Sequence, residues 1–449
     1  MHQPATDTRP RVLHLAQPVD AGVARVVIDL TQAQLASGLH VTVACPAGGI
    51  LADGVRALGA DVRLWEATRS PGPALVSEVR RLARVVAEVR PDLVHAHSAK
   101  AGLAGRLAVR GRIPTVFQPH AWSFEAVGGV TAALAVGWER WGARWSTRTV
   151  CVSEAERTTG LRAGVRARWS VLPNGIDTER FHPAAVDTVR AGIEQLAGVD
   201  PAAPLVVCVG RLCRQKGQDV LLSAWDEVVR RVPKARLVLV GDGPDRAALR
   251  QLAPDSVLFA GAVADPVPWY QAADLVVLPS RWEGMALAPL EAMACGRPVV
   301  VTDVAGARES LPPGHAPHAG EARRCREPMG VPPLERSREW GSAEARSAEH
   351  GRALDTGLSA SEAGHWKRCL VPAENPAVLS GAVAELLLDP LLRESLGHQG
   401  RRYVQSTHDV RHTAEAVAGV YRELLGGAPE AKEKDTSVVP TECRESIHS

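Results

Sequence analysis

Short runs of apolar residues alternate along this chain with longer segments whose apolar positions recur every three or four residues. That alternation predicts parallel strands joined by helices, in sheets covered on both faces. Strands are expected at residues 12–16, 41–45, 62–64, 93–95, 115–118 and 149–152. A second series starts at residues 205–209 and continues at 237–240, 257–259, 275–278 and 299–302. Two α/β domains of doubly wound parallel sheet, facing across a cleft, are therefore expected over residues 11–183 and 205–425. The Ala-, Pro- and Asp-rich residues 184–204 are read as the connection between them. A chain of 449 residues is the right length for two such units.

Two stretches depart from the pattern. Residues 319–368 are rich in Arg, Glu, Ser, Ala and Gly with almost no branched aliphatics, and are read as a disordered insertion in the second domain. Residues 426–449, with a KEKD run and a polar end, are read as a disordered tail.

Ligands of doubly wound sheets bind beyond the carboxyl ends of the strands, so the residues after each predicted strand carry the chemistry. The richest of these is RWEGMALAPLEAMACG, residues 281–296, which follows the strand at 275–278. It predicts a loop carrying Glu283 and Gly284, then a helix starting near Met285 or Ala286 with Pro289 in its first turn and Glu291 one turn in. The free N–H groups and positive dipole end at Met285, Ala286 and Leu287 suit a phosphate. After the strand at 205–209, GRLCRQKG places Arg211 and Lys216 at one strand end. The chain has no D-x-D run to hold a divalent metal, so these cations and the helix N-terminus are assigned to a departing nucleotide diphosphate, without a metal. Glu291 is placed to accept hydrogen bonds from ribose hydroxyls.

In the first half, His120 follows the strand at 115–118 and is expected to point into the cleft. His95 and His97 form an H-x-H at another strand end, a spacing that also suits metal ligands; with no further ligand at suitable spacing, a structural role is favoured. Asn174 and Gly175 predict a turn with positive backbone angles. Trp138, Trp141 and Trp145, beside Arg140, Arg144 and Arg148, form either a core-facing stripe or an interfacial helix near a membrane.

Composition narrows the partners. Fifty-two Lys and Arg against fifty Asp and Glu leave a net charge of +2, which argues against a general nucleic-acid binder. Eight scattered cysteines without metal-ligand spacing suggest free thiols in a reducing compartment. With no apolar run long enough to span a bilayer and no apolar leader at the N-terminus, a soluble cytoplasmic protein is expected.

The ordered set VDAGVARVVIDL, HAHSAKAGLAGRLA, QPHAWSF, VLPNGID, GRLCRQKG, VGDGPDRAAL and the E-x7-E of Glu283 and Glu291 resembles the retaining glycosyltransferases of family 4. The likeness covers nearly all of residues 11–425 outside the insertion. It implies the GT-B fold, a nucleotide-sugar donor and a hydroxyl acceptor, with no other cofactor. The HSAKAG and PHAWSF pair is similar to enzymes that build exopolysaccharide or capsule on lipid-linked acceptors, which implies a peripheral contact with the membrane. By the same resemblance, Glu283 lies against the donor sugar, His120 contacts the sugar or the reacting centre, and Gly22 borders the donor phosphate. Base contacts fall near Val263. The family usually has two adjacent glycines where this chain has Ala21 and Gly22, which leaves the loop shape open. Two other readings stay open here: a non-catalytic GT-B protein disrupted by the insertion, and a nucleotide-sugar epimerase.

Overall fold

A computed structural model describes residues 9–313 and 365–426. Both expected sheets are present, and every strand pair in them is parallel. The first contains β1 (Arg11–Ala16), β2 (His40–Cys45), β3 (Asp61–Leu64), β4 (Leu93–His97), β5 (Thr115–Gln118), β6 (Arg148–Cys151) and β7 (Trp169–Val171), in the order 3-2-1-4-5-6-7. The second contains β8 (Leu205–Val209), β9 (Arg236–Val240), β10 (Val257–Gly261), β11 (Leu275–Leu278), β12 (Val299–Thr302) and β13 (Leu370–Val371), in the order 10-9-8-11-12-13. Both orders reverse direction beside their first strand, so each sheet has a crevice there, between β1 and β4 and between β8 and β11.

Helices of the first half are α1 (Ala21–Ala36), α2 (Gly49–Ala57), α3 (Leu75–Val89), α4 (Ser98–Val109), α5 (Gly129–Gly142) and α6 (Glu154–Arg162). Those that follow are α7 (Val186–Ala191), α8 (Gln218–Arg231), α9 (Arg246–Leu252), α10 (Val267–Ala272), α11 (Leu287–Ala294), α12 (Pro376–Leu388), α13 (Pro390–Thr407) and α14 (Val410–Leu424). The central strands are buried on both faces, as LVVCV in β8 and VVVT in β12 require, and they pack against the helices on either side.

Three boundaries differ from the sequence reading. Residues 184–204 do not form a free connection. Ile193 and Leu196 sit in the core of the second domain, and Arg190 of α7 pairs with Asp274 at 2.7 Å. The crossing lies earlier, where Ile176 pairs in parallel with Asp409 and accepts from the Val410 N–H, so the outgoing and returning chains run side by side. The returning chain is the second difference: α14 belongs to the first domain, packing on α1 and joining Arg148 of β6 through Glu423. The third concerns residues 319–368. Most of that stretch, like the tail after Gly426, lies outside the described residues, but Trp366 is fully buried and donates to Gln399 Oε1 at 2.9 Å. The last residues of the expected insertion are thus part of the packed domain.

Candidate active site

Gly217, just after the turn Arg214–Lys216, has a φ of +65°, and a Cβ there would lie 2.1 Å from the Pro279 carbonyl oxygen. Only glycine satisfies both conditions. The contact draws the loop after β8 onto the loop after β11, and the consequence is an ion pair: Lys216 Nζ lies 2.5 Å from Glu283 Oε1. Ser280 Oγ donates to the same oxygen at 2.8 Å, and Glu283 is 7% exposed. Arg281 forks onto Asp219 at 2.7 and 2.8 Å and reaches Glu374 at 2.9 Å, which pins the start of this loop. Arg211 stands half-buried past β8. Its charge is one of the causes, after burial, that lower the pKa of Arg69 on the loop following β3. Two cations from opposite domains therefore lie close together.

The helix after Glu283 begins as expected. Ala286 caps α11, Leu287 is its first residue, and Pro289 falls in its first turn. Asn174 Nδ2 donates to the Met285 carbonyl at 2.8 Å, tying this helix start to the domain crossing. Neither Asn174 nor Gly175 has a positive φ, contrary to expectation. Gly175 is required by space instead, because a Cβ would come 2.6 Å from Val410 Cα. Gly22, near the start of α1, faces Leu287 across the cleft, and a side chain there would lie 3.6 Å from Leu287 Cδ1. Two helix N-termini thus approach one another. Ala21 takes a φ of +61°, so the loop keeps a left-handed shape suited to glycine, at a cost of about 1–2 kcal/mol for a side-chain-bearing residue.

Glu291 is nearly buried and accepts from the Tyr270 hydroxyl at 2.6 Å; burial raises its pKa. It lines a cavity of about 330 Å³ between the domains, with Arg25 and Asp29 of α1 and with Arg180. Burial also pushes the Asp29 carboxyl up to about 7. Val263 lies just beyond β10, partly buried against the second domain, away from the Lys216–Glu283 pair in the sheet order.

In the first domain Lys100, just past β4, is paired with Glu78 of α3 at 2.6 Å, and the crevice between β1 and β4 itself is lined with histidines. His120 has a φ of +55° and Ala121 a φ of +100°, and the strained turn is held by Glu156, whose Oε1 accepts from the Ala121 N–H at 2.6 Å. His120, expected to point into the cleft, also reaches back to β4, with its Nε2 3.1 Å from His97 Nδ1. The sequence showed no third partner for His95 and His97, yet the pairing of β1 with β4 sets His14 beside His95. Nitrogens of His14, His95 and His97 lie within 4.8 Å of one another, close enough to hold a metal ion. Both nitrogens of His14 and of His97 are nevertheless already engaged in hydrogen bonds. Burial lowers the pKa of His14 to about 4 and of His120 to about 3, and holds His95 and His97 well below the ordinary value.

Sequence reasoning missed Gln34, Arg69, Glu156 and Tyr421. Only Glu156 had a local signal, as the third residue of a helix opened by Ser153, whose Oγ accepts from the Glu156 N–H at 3.0 Å. The tryptophan stripe is only partly core-facing. Trp141 is 45% exposed, and with Val130 and Leu134 it forms an open apolar stripe on α5. Arg144 stacks over Trp141 at 3.9 Å. Among the described residues no helix is long and apolar enough to cross a membrane.

Two Rossmann-like domains with their strand ends and two helix N-termini meeting across a cleft make up the GT-B fold. The sequence model described as Glycosyltransferase Family 4 matches residues 21–180, and the one described as Glycosyl transferases group 1 matches residues 203–322. The chain belongs to glycosyltransferase family 4. It is 28% identical over 322 residues to the UDP-Gal:alpha-D-GlcNAc-diphosphoundecaprenol alpha-1,3-galactosyltransferase of Escherichia coli, a match covering 67% of this chain and 81% of that protein. It is 40% identical over 162 residues to the lipopolysaccharide core biosynthesis mannosyltransferase LpsB of Rhizobium meliloti, covering 34% of this chain and 45% of that one. The structure of Anabaena Alr3699/HepE in complex with UDP and glucose superposes with a TM-score of 0.70 at 21% identity, over 92% of this chain and all of that one.

Proposed function

We propose that this chain transfers a sugar from a nucleotide-sugar donor to an acceptor hydroxyl, with retention at the anomeric carbon and without a metal. The observation that carries the reading is the convergence of Lys216 and Glu283 beside the N-terminus of α11, with the start of α1 facing it. In this reading Arg211, Lys216 and the N–H groups at Met285, Ala286 and Leu287 neutralise the diphosphate as it leaves. Glu291 holds the ribose hydroxyls, and the base lies near Gly261 and Val263. Glu283, with Gly284 beside it, steadies the sugar at the anomeric end of the cation site, and His120 meets the sugar from the other domain. The acceptor oxygen bonds to the anomeric carbon on the face from which the diphosphate departs. The carbon–oxygen bond to phosphate breaks, and the acceptor proton passes to a phosphate oxygen of the leaving group.

The acceptor is proposed to be a lipid-anchored glycan in polysaccharide or glycoconjugate biosynthesis. The diphosphoundecaprenol named for the Escherichia coli relative supports this, as does the exposed stripe of Val130, Leu134 and Trp141 beside arginines. The test is nucleotide release from a panel of UDP-, GDP- and ADP-sugars, with and without EDTA. Slow, EDTA-resistant hydrolysis of one donor, lost in Lys216→Ala and Glu291→Ala, is expected. Absence of both hydrolysis and nucleoside diphosphate binding would turn the reading toward a non-catalytic protein.

A further inference from the structure

We infer that Gln34 and Tyr421 are positioning residues that fix the tautomer of His120 through His14 and His97, leaving the His120 proton on Nε2 and its Nδ1 free to accept. The inference rests on the proposed place of His120 at the sugar. It begins with a continuous line of side-chain contacts. Gln34 Oε1 lies 2.8 Å from His14 Nε2, His14 Nδ1 lies 2.9 Å from His97 Nε2, and His97 Nδ1 lies 3.1 Å from His120 Nε2. Gln34, His14 and His97 are all buried.

Burial keeps these histidines neutral near neutral pH. A neutral imidazole has one donor and one acceptor nitrogen, so a chain of them has a single polarity from end to end. The amide oxygen of Gln34 can only accept. His14 must then donate from Nε2 and accept at Nδ1, His97 must do the same, and His120 must donate from Nε2. The identity of one atom on α1 therefore sets the protonation of a ring three residues down the line.

The orientation of the Gln34 amide is in turn set from α14. Its Nε2 donates to the Tyr421 hydroxyl at 3.4 Å, and that hydroxyl lies 2.7 Å from His95 Nδ1. Gln118, on the strand beside His95, interacts with that ring, and its Oε1 and the remaining His95 nitrogen are both buried with no other hydrogen-bond partner. A proton on His95 Nε2 suits that acceptor. It makes His95 Nδ1 the acceptor of the Tyr421 hydroxyl and leaves the phenol oxygen to accept from Gln34. The opposite polarity would set a bare nitrogen against the bare Gln118 oxygen in a buried place, which is the unfavourable arrangement. The returning helix α14 thus has a chemical role in the first domain as well as a packing one.

The tautomers are read directly by long-range ¹H–¹⁵N correlation on full-length protein labelled at histidine, with His120 assigned by comparison with His120→Asn. At pH 7.5 the wild type is expected to show His120 protonated at Nε2. In Gln34→Met the His120 signals move toward a mixed or Nδ1-protonated tautomer, and kcat falls about tenfold while the donor KM stays the same. Tyr421→Phe, a milder change that serves if Gln34→Met does not fold, gives a smaller shift in the same direction. An Nδ1-protonated His120 in the wild type, or a tautomer that ignores both substitutions, overturns the inference. So does one equivalent of tightly held zinc in the purified protein, which would make the cluster a metal site. The spectra need no substrate: inactive protein with the expected tautomers counts against the proposed function and leaves the proton chain standing.

Discussion

The two crevices of this molecule share one topology and have opposite chemistry. In the second domain the crevice between β8 and β11 is built from charge: Lys216 against Glu283, with Arg211 nearby and Arg281 locked to Asp219. In the first domain the crevice between β1 and β4 is built from neutral rings, with His14, His95, His97 and His120 stripped of charge by burial. The same strand order can therefore present a charged pocket on one side and an uncharged hydrogen-bonding wall on the other. What differs is the residues at the ends of each strand and just after it, and how far they lie from water. A transferase benefits from the division, because phosphate charge must be neutralised while the sugar needs hydrogen bonds without competing ions.

The largest effect should come from breaking the charged side. Lys216→Ala is expected to lower kcat/KM about 100-fold or more, as measured by nucleotide release, because a cation acting on transition-state charge is lost. Next in size, Glu291→Ala should weaken donor binding by about 1.5–3 kcal/mol, the cost of losing hydrogen bonds to a charged group. It should do much less to a donor lacking the ribose hydroxyls, and equal losses on both donors would remove Glu291 from the ribose.

The neutral side should reveal itself in acid. His14 has a folded pKa of about 4 against an ordinary value of 6.5, so the unfolded chain takes up a proton first as pH falls. Its contribution to stability is complete above pH 6.5 and is lost as pH drops toward 4, amounting to about 2 kcal/mol by pH 5. The change in urea midpoint between pH 7.5 and pH 5, compared between wild type and His14→Asn, measures this apart from Asp29 and Glu156, whose raised carboxyls shift stability the other way. The same change in both proteins would mean that the His14 ring is already charged or open. The smallest effect belongs to the loop between the two sides. Ala21→Gly removes a side chain held at positive φ and should raise stability by up to about 1 kcal/mol in thermal unfolding, with activity retained.

The charged crevice was legible in the sequence and the neutral one largely was not, for a physical reason. Arg211, Lys216 and Glu283 follow predicted strands within seven residues, and Glu291 stands in the helix just beyond, so local pattern places all four past the carboxyl ends of β8 and β11. The α11 start was legible in the same way, from Pro289 and the Leu/Ala content after it. The histidine line depends on neighbours that strand order brings together: His14 meets His97 across 83 positions, and Gln34 meets Tyr421 across 387. Periodicity could mark α14 as amphipathic but could not say on which domain its apolar face would settle. β7 escaped notice because WSV is short and half polar. The early crossing at Ile176 escaped because the composition of residues 184–204 looked like a connection while Ile193 and Leu196 were core.

The contrast between the two sides is tested most directly by calorimetric titration of nucleoside diphosphate into wild type, Lys216→Ala and His120→Ala, alongside transfer rates for each. The account predicts that Lys216→Ala loses diphosphate affinity, while His120→Ala binds it as the wild type does and turns over about 100-fold more slowly. Equal loss of affinity in both variants, or full affinity in Lys216→Ala, would contradict the division between a charged half that holds the leaving group and a neutral half that faces the sugar.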